Sequence, residues 1–329
     1  MDLLATVATA IVLWFGGRAV VEGSLTLGTV VAFLSYVARF FQPVQELSQL
    51  YATLQAAMAG GERVLELLDT EPPVRDAPDA PDLPRVRGGI ELRGVEFSYE
   101  QGSPVLRGVD LTIEPGRVVA LVGKTGAGKT TIAGLVARFH EPTAGVVLVD
   151  GVDVRSVSQR SLRRQMALVP QDPFLFAGTI ADNIRFGRPE AGDAEVEAAA
   201  RTANADEFIA RLPEGYATRV LEGAANLSLG QRQLVCIARA VLVDPRVLVL
   251  DEATANIDTV TESLIQRALA RLLEGRTALV IAHRLSTVRA ADLICVVEDG
   301  RIAERGTHGA LMALGGAYAH LYEQQFGRG

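Results

Sequence analysis

From Gly123 to Thr131 the chain reads Gly-Lys-Thr-Gly-Ala-Gly-Lys-Thr-Thr. Gly123, Gly128, Lys129 and Thr130 fall on the pattern G-x-x-x-x-G-K-[ST], in which a turn of backbone N–H groups cradles phosphate oxygens. Glycine permits the tight turn and the close approach of backbone to ligand. A helix beginning at the end of the turn adds partial positive charge. In that geometry Lys129 reaches the β- and γ-phosphates of a nucleotide, and the Thr130 hydroxyl becomes a ligand for Mg²⁺. Lys124, Thr125, Gly126, Ala127 and Thr131 complete the candidate phosphate-binding loop. Of the 32 lysines and arginines, only Lys124 and Lys129 are lysines, and both lie here. An otherwise all-arginine chain thus keeps a compact ammonium where a phosphate needs a point charge. Lys124 sits at a variable position of the pattern.

A second chemical group is the pair Asp251-Glu252. It follows the apolar run Val247-Leu248-Val249-Leu250, so two carboxylates end a buried strand. Parallel sheets bind ligands at that end. Asp251 suits Mg²⁺, and Glu252 suits a general base that takes a proton from an attacking water. Gln171 comes just after the expected strand Met166–Val169, where its amide can serve Mg²⁺ or a phosphate; a loop residue is the alternative. His283 stands just past the strand Thr277–Ile281, and it gains significance only from neighbours at other strand ends. Tyr99 closes an alternating strand from Ile90 and can stack on an adenine base or remain a half-buried strand residue. Ser228, Gly230 and Gln231 precede a helical run from Leu234 to Leu242 and form a second possible anion site.

These groups need a frame, and the hydropathy pattern supplies one. Val118 to Val122 reads as a buried strand leading into the phosphate turn, and Thr131 to Phe139 as the helix leaving it. Val146–Val149, Met166–Val169, Val247–Leu250 and Thr277–Ile281 read as further strands. Leu293–Val297 and Arg301–Ala303 flank Glu298-Asp299-Gly300 as a hairpin. Asp193–Arg211 and Ala310–Phe326 read as helices.

The N-terminal end has another character. Leu3–Phe15 and Thr26–Phe41 are nearly uncharged, separated by a glycine-bearing turn, and predict a transmembrane hairpin; a buried helical hairpin of a soluble protein is the alternative. After Pro43 the apolar residues recur at helical spacing among polar ones, as where a helix leaves lipid, and Gly60-Gly61 is a point where it could loosen. Five prolines between Thr70 and Gly89 predict a linker. The expected organisation is residues 1–69 membrane helices, 70–87 linker and 88–329 nucleotide domain. A net charge of −7 with pI near 5.3 offers no basic surface to nucleic acid. Cys236 and Cys295 lie in apolar stretches as small core residues.

In their order and type these stretches resemble the ATP-binding cassette (ABC) exporters, in which membrane and nucleotide domains share one chain. The motifs are the phosphate loop, Gln171, the signature Leu227–Gln231, Asp251-Glu252, the loop Ala255–Asp258 and His283. The resemblance implies an α/β P-loop NTPase domain, with an antiparallel β subdomain and a helical subdomain, preceded by an α-helical transmembrane segment. It implies ATP and Mg²⁺ as ligands and ATP hydrolysis coupled to export, and Phe33, Tyr36 and Phe40 suit an amphipathic or hydrophobic cargo. The alanine- and arginine-rich composition points to a GC-rich bacterial genome and so to the cytoplasmic membrane, with the nucleotide domain on the cytoplasmic side. Two such chains would sandwich two ATP molecules. Ser228, Gly230 and Gln231 would then contact the ATP held by a second half-transporter, Gln171 and His283 would sense the γ-phosphate, and Asp258 would link the two sites. Leu229 stands where the family's signature usually has glycine, which favours a heterodimer over a homodimer. An exporter half has six membrane helices and this sequence resembles only the last two with the nucleotide domain, so other membrane segments are expected to complete a pathway.

Overall fold

The computed structural model describes the chain except for Met1, residues 100–101, residues 252–256, His283 and residues 327–329. It divides into two compact units, Met1–Pro72 and Pro73–Gly329.

The first unit is a helical hairpin of α1 (Asp2–Val21) and α2 (Leu27–Asp69). Thr26 caps α2 by accepting from the Thr29 N–H, satisfying one of the orphan donors of the first turn. The helices close where Gly16 faces Val30; a Cβ on Gly16 would lie 3.1 Å from a Val30 methyl. Both helices are long and apolar enough to cross a membrane. Within the chain their large side chains point outward, with Trp14, Phe15, Tyr36 and Phe40 all more than 60% exposed. An apolar exterior suits a helix whose surroundings are lipid or other helices. At 43 residues α2 is about 65 Å long, roughly twice the hydrocarbon thickness of a bilayer. Pro43 lies inside it without ending it, and Gly60-Gly61 does not loosen it: the helix runs to Asp69.

The second unit runs in chain order as follows. β1 (Ile90–Ser98), β2 (Pro104–Ile113) and β3 (Val118–Val122) lead to α3 (Lys129–Val136). β4 (Ala144–Val149), the short β5 (Val152–Asp153), α4 (Gln159–Arg163) and β6 (Met166–Val169) come next. A mainly helical insert then holds β7 (Gly178–Thr179), α5 (Ile180–Arg185), α6 (Asp193–Thr202), α7 (Asp206–Ala210), β8 (Arg219–Val220) and α8 (Leu229–Val243). β9 (Val247–Asp251), α9 (Thr259–Leu273), β10 (Thr277–Ile281), α10 (Leu285–Ala290), β11 (Leu293–Glu298), β12 (Arg301–Gly306), α11 (His308–Leu314) and α12 (Ala317–Phe326) complete it.

Two main sheets result. One is antiparallel in the order β2-β1-β4-β5; the other has the order β12-β11-β3-β10-β9-β6 and is parallel except for the edge strand β12. The central parallel strands are continuous apolar runs because both faces are covered. One core, with Val119, Leu121, Val249 and Leu279, packs toward the antiparallel sheet; the other, with Ala120, Leu250, Val280 and Ile237, packs toward the helical insert.

The region expected as a linker is laid against the second unit from Pro73 onward. Leu83 and Val86 are buried, and the Leu83 N–H donates to Ser161 Oγ at 2.8 Å and the Val86 N–H to Gln165 Oε1 at 2.7 Å. Arg138, 1% exposed, donates to Asp76, to Glu141 and to the carbonyl oxygens of Arg75 and Val157. A buried guanidinium is tolerable only when its fork of donors is so engaged.

Candidate functional site

The parallel pairing sets the site. Ile281 pairs with Asp251 on one side and with Leu121 on the other, while Val169 pairs with Leu250. The carboxyl ends of β3, β10, β9 and β6 therefore lie side by side. From these ends the chain delivers the phosphate loop, Asp251 and Gln171. Such a row of strand ends is where open α/β sheets bind ligands.

The loop leaves β3 at Gly123, whose φ is +149°, and continues through Gly126 and Gly128 at +82° and +105°. A Cβ on Gly123 would stand 2.2 Å from the Val297 carbonyl oxygen, and one on Gly128 would stand 2.6 Å from a Leu106 methyl. The loop is thus threaded between β2 and β11 with no space for side chains at those points. Gly128 is the N-cap of α3 and offers it no side-chain acceptor, so the first-turn N–H groups are left to a ligand. Lys129 is 7% exposed, and its ammonium donates to the carbonyl oxygens of Gly123 and Lys124, each at 2.8 Å. Burial pushes the Lys129 pKa below the ordinary lysine value, and the negative charge of Asp251 partly offsets that shift. A cation held in this way is attracted to a polyphosphate. Thr125, Gly126 and Thr130 are exposed, whereas Ala127 and Thr131 are buried.

The fit to Mg²⁺ follows from the donors. Thr130 and Asp251 offer hard oxygens, and no cluster of three or more acidic, histidine or cysteine side chains exists among the described residues. That set suits an ion which takes one or two protein ligands and completes its shell with phosphate and water. Gln171 is exposed two residues past β6. Glu252 and His283 lie outside the described residues.

Tyr99 lies beyond the end of β1; the residue is 58% exposed and its hydroxyl is 3.2 Å from Thr131 Oγ1. Phe97 and His140 hold the ring edge-on at 4.8 and 5.2 Å. An accessible aromatic face is thereby tied to the first turn of α3. His140 was not singled out by the sequence; nothing in its spacing marks it as the support of Tyr99.

Ser228, Gly230 and Gln231 begin α8. Ser228 Oγ accepts from the Gln231 N–H, and Gln231 Oε1 accepts from the Ser228 N–H, a reciprocal cap. Gly230 is buried because Thr261 stands over it. No hydrogen bond joins this segment to the phosphate loop among the described residues. Asp258 caps α9 by accepting from the Thr261 N–H at 2.9 Å, and that bond holds its carboxyl below the usual range. The stretch after Gln171 is pinned by Asn183, a buried residue that sequence reasoning missed. Its amide bonds to both backbone groups of Phe176 and to the Thr179 carbonyl. A single asparagine in a helix carries no sign that it will bond the backbone of the loop before that helix.

Residues 106–255 match the family model described as ABC transporter. A protein of Bacillus subtilis named an uncharacterized ABC transporter ATP-binding protein, YknV, is 47% identical over 326 residues, covering 99% of this chain and 54% of the relative. The fatty acid ABC transporter ATP-binding/permease protein of Mycobacterium tuberculosis is 48% identical over 306 residues, or 93% of this chain and 48% of that one. The ATP-dependent lipid A-core flippase of Syntrophus aciditrophicus is 45% identical over 99% of this chain and 54% of its own length. The solved structure of a bacterial Atm1-family ABC exporter with ATP bound matches with a TM-score of 0.76 and 40% identity, covering 99% of this chain and 56% of that one. The chain thus spans about half the length of the relatives it matches. The phosphate loop, the strand ends that flank it and these likenesses agree: the chain belongs to the ABC transporter family, and its second unit is that family's ATP-binding, ATPase-type cassette.

Proposed function

We propose that this chain is part of an exporter that couples ATP binding and hydrolysis to movement of an amphipathic or hydrophobic substrate across the cytoplasmic membrane. In this reading residues 1–69 belong to the membrane domain, 70–87 connect, and 88–329 form the nucleotide domain on the cytoplasmic side. The observation that carries it is the convergence of the phosphate loop, Asp251 and Gln171 on adjacent strand ends, with Lys129 buried among carbonyl oxygens. The names of the relatives, a lipid A-core flippase and a fatty acid transporter among them, support an apolar or amphipathic cargo.

The residues take the following roles. The N–H groups of Lys124–Thr131 and the Lys129 ammonium hold the β- and γ-phosphates. Lys129 gives up two carbonyl acceptors to do so, an exchange favoured because the phosphate is charged. Mg²⁺, held by Thr130, Gln171 and Asp251, would neutralise charge on those phosphates. Tyr99 presents its exposed face to adenine. Glu252 takes the proton of the attacking water, and His283 orients the γ-phosphate. Ser228, Gly230 and Gln231 face the ATP of a second half-transporter, and Asp258 connects the two sites. Leu229 in the signature favours a partner of different sequence.

Three measurements test this. Lys129→Ala is expected to weaken MgATP binding at least tenfold, and unchanged affinity would overturn the role of the loop. Glu252→Gln is expected to bind MgATP normally while turnover falls by about 10² or more; full turnover would remove Glu252 as the base. Purification from native membranes in mild detergent is expected to recover a second, non-identical half-transporter. Recovery of a self-associated chain alone would replace the heterodimer with a homodimer.

A further inference from the structure

Between the parallel sheet and helices α8, α9 and α10 lies a cavity of about 540 Å³. Asp251 ends one wall, but residues 123–131 and Gln171 do not line it. Its walls are largely aliphatic, with Val118, Leu250 and Val280 from the sheet and Leu269 and Leu273 from α9. Of the polar residues in the lining, Asp251, Gln266, Arg267, Glu274, Ser286, Thr287 and Gln233 of α8, only Gln233 is buried. It is 3% exposed, and its Oε1 has no hydrogen-bond partner among the described residues.

These two facts select a ligand. The volume falls within the range of small-molecule sites. A buried amide oxygen without a donor costs free energy that a ligand O–H or N–H would recover. Water could satisfy that oxygen but would leave the aliphatic walls wetted at a cost. The charged groups of the lining are the Asp251 and Glu274 carboxylates and the Arg267 guanidinium, so an anion would meet two like charges and the Gln233 oxygen against one cation, and a neutral molecule is favoured. We propose that this cavity is a second binding site, for a neutral amphiphile with an apolar body and one hydroxyl or N–H donating to Gln233 Oε1. Asp251, given to Mg²⁺ in the nucleotide reading, ends one wall, but the proposed contact is to Gln233 and no phosphate contact enters it.

The test uses the whole chain in detergent with methyl-labelled leucine and valine, titrated with 4-hexylphenol and, in parallel, with hexylbenzene. The phenol is expected to cause saturable shifts of the Leu269 and Val280 methyls. Gln233→Leu should weaken the phenol about five- to tenfold, the scale of one lost hydrogen bond, while changing hexylbenzene less than twofold. Ala270→Phe, a substitution at an exposed position on the cavity's rim, should remove the saturable shifts of both probes. Shifts that fail to saturate, or that survive Ala270→Phe at full size, would overturn the site. Equal weakening of both probes by Gln233→Leu would overturn Gln233 as its anchor.

Discussion

A methyl group at Gly123 would meet the Val297 carbonyl at a distance no carbon tolerates, whereas one at Gly126 would meet nothing within 4 Å. Both residues have positive φ, so alanine is strained at either, by about 1–2 kcal/mol. Only the first also displaces β11. Gly123→Ala is therefore expected to cost about 2–4 kcal/mol and to abolish measurable ATP binding, and Gly126→Ala to cost about half as much. Urea titration with a parallel nucleotide-binding assay checks the pair. The two cysteines offer a prediction that depends on pH. Burial raises the thiol pKa of Cys236, and it pushes that of Cys295 up to about 11. At pH 9 the reactive thiolate of Cys295 is then roughly one part in a hundred. Intact-mass analysis after iodoacetamide should find the native chain unmodified at both sites and the urea-unfolded chain modified twice.

Helices α8 and α9 meet closely at their beginnings. A Cβ on Gly230 would lie 2.3 Å from Thr261 Cγ2. Gly230→Ala should therefore push α9 away at a cost of about 1–3 kcal/mol, and Thr261→Ser, which deletes that methyl and keeps the hydroxyl, should restore most of the loss. Failure of the double variant to recover stability in urea would deny that this contact limits the approach. The same elements show what the sequence could and could not reveal. The buried strands were legible because apolar runs ending in Gly123, Pro170 and Asp251 have few other readings. Helix breaks were less so. Asp193–Arg211 reads as one helix yet is two, divided where Asn204 takes a left-handed φ of 55°. Ala310–Phe326 likewise is split by Gly315 at 65°. Asparagine and glycine are the residues that do this, but hydropathy periodicity alone passes over them. Hubs such as Asn183, whose bonds reach Phe176, Thr179 and Arg239, and Arg138, whose bonds reach across 62 residues to Asp76, depend on the finished fold. Five prolines correctly exclude a helix after Thr70, yet they say nothing of whether an extended segment docks.

For the chain as a whole, that docking sets where the second unit can be cut. Expressed from Pro73, it keeps Asp76 on Arg138 and the side chains of Leu83 and Val86 in the core. Expressed from Gly88, it loses both apolar side chains, worth about 3–6 kcal/mol together, and leaves a buried arginine short of acceptors. Against a total stability of roughly 5–15 kcal/mol, the shorter piece is expected to unfold at far lower urea or to aggregate. Circular dichroism of the two pieces would decide it. Proximity of Lys129 to its own loop has a further, practical outcome. Its amine is buried against two carbonyl oxygens, while Lys124 is exposed, and the 329 residues hold no other lysine. Amine-directed dyes, acylating reagents and lysine cross-linkers thus find a single ready side chain, at the mouth of the phosphate loop. A fluorophore attached there would report nucleotide arrival without any engineered cysteine.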